Sequence, residues 1–95
     1  MTPLNAHAFR TKVGMSVCSE QLLDAIRICR SIRNVSVMEI IDFAHQEGLG
    51  SNATSHRALH WLAHHRYITL KTGIDERTRL LNLTAKGRNY LRRVS

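Results

Sequence analysis

From Gly48 to Ile74 the chain contains no aspartate and no glutamate. Within that span lies "SNATSHRALHWLAHHRY" (51–67), which carries four histidines and two arginines. Its polar side chains can donate hydrogen bonds or carry positive charge, and none carries negative charge. Other features are scarce as well. No apolar run approaches the roughly 20 residues a membrane helix needs, so no membrane partner is expected. The opening "MTPLNAHAFRTKVGM" has no apolar core segment of the secretory kind, and a cytoplasmic protein is the expectation. Only two cysteines occur, Cys18 and Cys29, and they form no CxxC pair. In a reducing compartment two such thiols act as small buried hydrophobes. No carboxylate pair, Ser-His-Asp set or phosphate-cradling glycine loop is visible, so neither enzyme activity nor a cofactor is expected. There is no internal repeat and no low-complexity segment.

What the chain does have is unevenly placed positive charge. The 95 residues make one domain with one modest core, and 43% apolar and 22% charged residues are ordinary for a globular chain. The net charge is +7 and the isoelectric point lies near 10.5. Residues 1–50 hold five basic side chains (Arg10, Lys12, Arg27, Arg30, Arg33) and five acidic ones (Glu20, Asp24, Glu39, Asp42, Glu47), which cancel. Residues 51–95 hold nine basic and two acidic side chains, so the whole excess sits in the second half. Segregation of this kind points to a polyanionic partner.

Residues 1–18 show no clear helical period and are expected to form an arm, extended or as a short strand. "SEQLLDAIRICRSIRN" (19–34) predicts a helix capped by Ser19, with Leu22, Leu23, Ala25, Ile26, Cys29 and Ile32 on one face. "SVMEIIDFAHQEG" (36–48) predicts a second helix. Its Ser36 and Glu39 form a capping box, and Gly48 supplies a left-handed stop. After the turn "LGS", a third helix is expected over residues 52–65. At about 100° per residue, Ser55, Ala58, Leu59 and Leu62 share one side. Ala53, His56, Arg57, His60 and His64 share the other, and Trp61 falls on the border. "YITLKT" (67–72) and "TRLLNL" (78–83) predict a hairpin that carries Lys71, Arg77 and Arg79. "TAKGRNYLRR" (84–93) predicts a final helix capped by Thr84. The expected fold is therefore mainly α with a small β-hairpin, a winged helix-turn-helix over 19–95 behind an arm at 1–18. The helix at 19–34 is expected to contribute to a dimer interface. Its Leu22, Leu23, Ile26, Ile28 and Ile32 outnumber what one face of a monomer must bury, and Ile28 falls away from the main stripe.

From residue 36 onward the chain resembles the winged-helix DNA-binding domain of the MarR-type transcriptional regulators. "SNATSHRALHWLAHHRYI" looks like the family's recognition helix, with Thr54, Arg57 and the core pair Leu59 and Leu62. "DERTRLLNL" fits the Asp-x-Arg wing signature through Asp75 and Arg77. "LTAKGRNYL" is similar to the Leu-Thr-x-x-Gly segment that closes the wing. The family often has glycine where Arg66 sits, so a different helix ending is expected there.

In a helix-turn-helix the second helix enters the major groove with its N-terminal residues toward the base edges. Ser51, Asn52, Ala53, Thr54, His56 and Arg57 occupy that end. The planar fork of Arg57 suits guanine O6 and N7, a pairing worth about 1–3 kcal/mol of discrimination. His56 and His60 can donate to a base or a phosphate, and His64 continues their face. Ala53 or the Thr54 methyl can touch a thymine methyl, while Ser51 and Asn52 suit a phosphate. On the wing, Arg77 or Arg79 can reach the minor groove or flanking phosphates, Lys71 a phosphate, and Asp75 orients Arg77. A carboxylate on such a face would oppose the phosphates, which explains its absence.

The expected role is sequence-specific binding of double-stranded DNA by a small homodimeric transcriptional regulator acting on an inverted repeat. Three alternatives share the fold. One is a plasmid or phage partition or accessory factor, and another is a winged-helix protein-interaction module without salt-dependent DNA affinity. The third is a metal-responsive regulator, in which His and Cys residues gather a zinc or copper ion. For the last, His56, His60 and His64 stand at i, i+4 and i+8, and neighbouring pairs can meet an ion. The outer two are about 12 Å apart along the axis, and no nearby Cys, Asp or Glu completes a set, so no metal site is expected. Near pH 6 the same imidazoles would add positive charge and tighten DNA binding.

Overall fold

The structure, a computed structural model, describes residues 3–30, 34–72 and 79–94. Among them run α1 (Pro3–Val13), α2 (Val17–Arg30), β1 (Val35–Ser36), α3 (Val37–Gln46), α4 (Asn52–His64), β2 (Ile68–Thr72), β3 (Arg79–Leu83) and α5 (Ala85–Val94). The apolar stripe of α2 is buried at Leu22, Leu23, Ala25 and Ile26. This helix starts two residues earlier than its sequence suggests. Its cap is Ser16, whose Oγ accepts the Ser19 N–H at 3.1 Å and donates to the Ser19 hydroxyl at 2.9 Å. The α3 cap is the expected one, with the Glu39 N–H donating to Ser36 Oγ at 3.2 Å. Gly48 then takes φ +67°, and the Leu49 N–H closes back on the Ala44 carbonyl at 2.9 Å. Ile40, Ile41 and Ala44 of α3 join Ala58, Leu59 and Leu62 of α4 in one core beneath α2.

Residues 3–13 are a helix, and the expectation of an extended arm or short strand there is corrected. Tertiary contacts hold this helix, which explains its weak period. The Phe9 ring stacks on Tyr90 at 5.5 Å between centroids, the Arg93 guanidinium lies 4.5 Å over Phe9, and Arg10 pairs with Glu20 at 3.2 Å. Burial pushes the Glu20 carboxyl above its usual range, although Arg10 pulls it down.

The wing is wider than a hairpin. Strand β3 lies between β2 and the two-residue β1, with Val35 opposite Leu81 and Ile68 opposite Leu83. Two residues are too few to display alternation, so β1 leaves no periodic signal. Val35, Ile68 and Leu81 are fully buried and anchor the sheet on the helices. The apolar surplus expected on 19–34 is largely used within the chain, since Leu22, Leu23 and Ile26 are core. Ile28 is 50% exposed, and Ile32 lies outside the described residues. Cys18 and Cys29 are free thiols, both half-buried, and burial pushes the Cys18 thiol up.

The end of α4 departs from expectation in an informative way. Arg66 adopts φ +64°, the left-handed conformation that a glycine would take. Its N–H donates to the Ala63 carbonyl at 3.1 Å, and the Tyr67 N–H donates to that of Leu62 at 2.9 Å. The helix therefore ends as a glycine-terminated one does, and the different ending expected from arginine is not found. Buried Leu62 and Tyr67 clamp the turn, and the Thr84 hydroxyl lies 2.6 Å from the Arg66 carbonyl oxygen. A left-handed non-glycine residue costs about 1–2 kcal/mol. Arg66→Gly should therefore raise the melting temperature by several degrees, since about 1 kcal/mol corresponds to 4–8 °C in a domain of this size. A calorimetric scan showing no rise would mean that the clamp stores no strain.

Candidate nucleic-acid interface

Helix α4 is amphipathic in the sense its sequence suggests. Ser55, Ala58, Leu59 and Leu62 are buried. Ser51, Asn52, Ala53, Thr54, His56, Arg57, His60 and His64 are all exposed. Ser51 caps the helix, its Oγ accepting the Thr54 N–H at 3.2 Å and lying 3.0 Å from the Thr54 hydroxyl. That pair fixes the helix start and leaves its end of the positive helix dipole facing solvent. Two grooves flank α4. On one side Arg57 and Thr54 line a groove of about 230 Å³ that also meets Trp61 and the α1–α2 turn. On the other side His56 and His60 line a groove of about 250 Å³ together with Arg79 of the wing.

The wing thus delivers one of its cations beside the exposed stripe of α4. Lys71 is exposed on β2, where it pairs in register with Leu80 of β3. Asp75 and Arg77 lie outside the described residues. His64 sits a full turn beyond His60, edge-on to His65 at 5.1 Å between ring centroids. Among the described residues, Arg57, Lys71 and Arg79 make no ion pair; the two ion pairs found join α1 to α2 and lie within α2. Nor do any three His, Cys, Asp or Glu side chains gather around one point among the described residues.

The joint behind α4 escapes a reading by periodicity. The Trp61 ring stacks on Tyr67 at 5.7 Å with an interplanar angle of 11°, so the border tryptophan covers the base of the wing. Lys86 Nζ donates to the His65 carbonyl at 2.9 Å and lies 4.5 Å over the Tyr67 ring. It thereby compensates the negative C-terminal end of α4. Thr84 Oγ1 accepts the Gly87 N–H at 3.1 Å to cap α5, and lies within donating distance of the Arg66 and Tyr67 carbonyl oxygens. A Cβ at Gly87 would overlap the Tyr67 carbonyl oxygen. The Leu-Thr-x-x-Gly pattern is thus the seam that fixes α4 relative to α5.

No protein-family profile matches the sequence, and no curated protein matches it. Solved structures do. MarR of Staphylococcus aureus, solved in complex with salicylate and kanamycin, is similar over 94% of this chain, with a TM-score of 0.70 and 21% identity. RV1404 of Mycobacterium tuberculosis is similar over 95%, with a TM-score of 0.68 and 18% identity. The chain has the MarR-like winged-helix fold. The likeness reaches past the residues that suggested it, since at 94–95% coverage it takes in most of α1 and α2. The chain spans just over half the length of those two proteins, 55% and 58%. Among its described residues, no helix is long and apolar enough to cross a membrane.

Proposed function

We propose that this chain binds double-stranded DNA as a small transcriptional regulator, with α4 in the major groove and the wing on the minor groove or flanking phosphates. One observation carries the reading. The exposed face of α4 is free of acid from cap to end, and the wing places Arg79 beside it. That arrangement suits an array of phosphates, and the segregated charge of the sequence supports it. Arg57 reads a guanine edge, and Ser51, Asn52, Ala53, Thr54, His56, His60 and His64 contact bases or backbone along the groove. Lys71, Arg77 and Arg79 hold phosphates or the minor groove. The role needs no catalysis and no cofactor, and it belongs in the cytoplasm.

The protein acts as a homodimer on an inverted repeat. The contact involves the N-terminal segment and α2, where Val17 and Ile28 are 52% and 50% exposed. A monomeric mass by light scattering at micromolar concentration would contradict the dimer.

Arg57→Ala and Lys71→Ala separate the roles. The first should relax the preference at one base pair of the selected site, at a cost of about 1–3 kcal/mol. The second should weaken all sequences alike and lower the salt slope by about one. Binding-site selection followed by anisotropy titration reads both effects. If Arg57→Ala leaves the selected motif unchanged, Arg57 does not read bases.

A further inference from the structure

The groove between α3, α4 and the wing has a chemistry that DNA contact alone does not use. His56 and His60 are one helical turn apart, which brings their Cβ atoms to about 5–6 Å. Met38 of α3, a thioether residue that is 53% exposed, lines the same groove. Its walls are otherwise apolar (Val37, Leu59 and Leu70), and Arg79 is its one ionic member. The sequence offers three histidines along α4 but shows no third ligand near any pair of them. The fold places a further donor residue, Met38 of a different helix, on the wall of the same groove.

We propose that His56, His60 and Met38 form a copper(I) site. Two imidazoles and a thioether are neutral, soft-to-borderline donors, and thioethers select copper(I). Calcium and magnesium require oxygen ligands, and none of the lining residues carries a carboxylate. A structural zinc site wants four ligands, commonly thiolates and imidazoles, and no cluster of that kind exists among the described residues. The guanidinium of Arg79 disfavours a divalent ion in the same groove more than a monovalent one. Binding requires both imidazoles in their neutral form and involves no electron transfer. Occupancy withdraws His56 and His60 from DNA, so copper(I) weakens DNA binding. This second half rests on the function proposed above, while the site itself does not.

The test is an anaerobic titration of copper(I), buffered by a chromophoric chelator, against the full chain. One equivalent should bind, and His60→Gln and Met38→Leu should each weaken binding by about tenfold or more, the scale on which metal sites respond to lost support. Met38 is exposed and is not among the proposed DNA contacts, so Met38→Leu should keep the fold and the metal-free DNA affinity. One equivalent of copper(I) should then weaken DNA binding of the original chain and leave Met38→Leu unaffected. Failure to compete with the chelator overturns the site, whatever the DNA result. Equal copper affinity in Met38→Leu overturns the thioether ligand, and tighter binding of zinc overturns the choice of ion. Copper bound with DNA affinity unchanged overturns the competition. Absence of DNA binding without copper overturns the proposed function instead, and the chelator titration still decides the site.

Discussion

Gly87→Ala should lower the melting temperature by at least about 10 °C, the equivalent of roughly 2–3 kcal/mol in a domain of this size. Helix propensity alone argues the opposite, since alanine in a helix is favoured over glycine by about 1 kcal/mol. Sterics decide the sign. The added Cβ would overlap the Tyr67 carbonyl oxygen, a backbone atom that cannot rotate away. Relief requires α5 to move away from the Tyr67 backbone that precedes β2. Overpacking of this kind costs about 1–3 kcal/mol. The movement also disturbs three bonds of Thr84, whose hydroxyl accepts the Gly87 N–H and donates to the Arg66 carbonyl and whose N–H donates to the Tyr67 carbonyl, each worth about 1 kcal/mol. Gly48→Ala is the informative control. Its φ is +67° but nothing lies within 4 Å of its added Cβ, so it should cost only the left-handed strain of about 1–2 kcal/mol. Thermal unfolding of both variants gives the comparison. A Gly87→Ala protein that melts at or above the original temperature would show that α5 is not packed on the Tyr67 carbonyl as described.

His56→Glu combined with His60→Glu should weaken DNA binding by about two orders of magnitude, at roughly 1.4 kcal/mol for each carboxylate turned toward phosphates. Both positions are exposed on α4, so the fold should change little; surface substitutions stay within about 0.5 kcal/mol. Gln21→Glu, on the exposed side of α2, adds one acid away from the proposed interface and should change affinity little. Anisotropy on one duplex at fixed salt makes the comparison, with circular dichroism as the check on folding. Equal binding by the double variant and the original chain would remove α4 from the interface.

The parts of the structure legible in the sequence are those governed by short-range rules. The period of α4 separates Ser55, Ala58, Leu59 and Leu62 from the stripe through His56, Arg57 and His60, and that division stands in the fold. The capping box of Ser36 and Glu39 and the stop at Gly48 are local and equally legible. Helix α1 is not, because Phe9 and Arg10 gain their meaning from distant partners, Tyr90 and Arg93 for the first and Glu20 for the second. Strand β1 exists through Leu80 and Leu81, more than forty residues away. At Arg66 residue identity misleads, because the clamp of Leu62 on Tyr67 dictates a conformation that arginine does not favour. The candidate site divides the same way. Which α4 residues face out is legible, whereas the meeting of Arg79 and Met38 with His56 and His60 depends on how three elements pack.

The most direct test is fluorescence anisotropy of a labelled mixed-sequence duplex titrated with the protein at about 50 and 200 mM salt. At least six phosphate contacts should release enough counterions to lower affinity by roughly 10³-fold between the two conditions. Binding that falls in this way supports the acid-free face of α4 as a DNA surface. No binding at the lower salt, or binding indifferent to salt, would contradict it and assign that face to another partner.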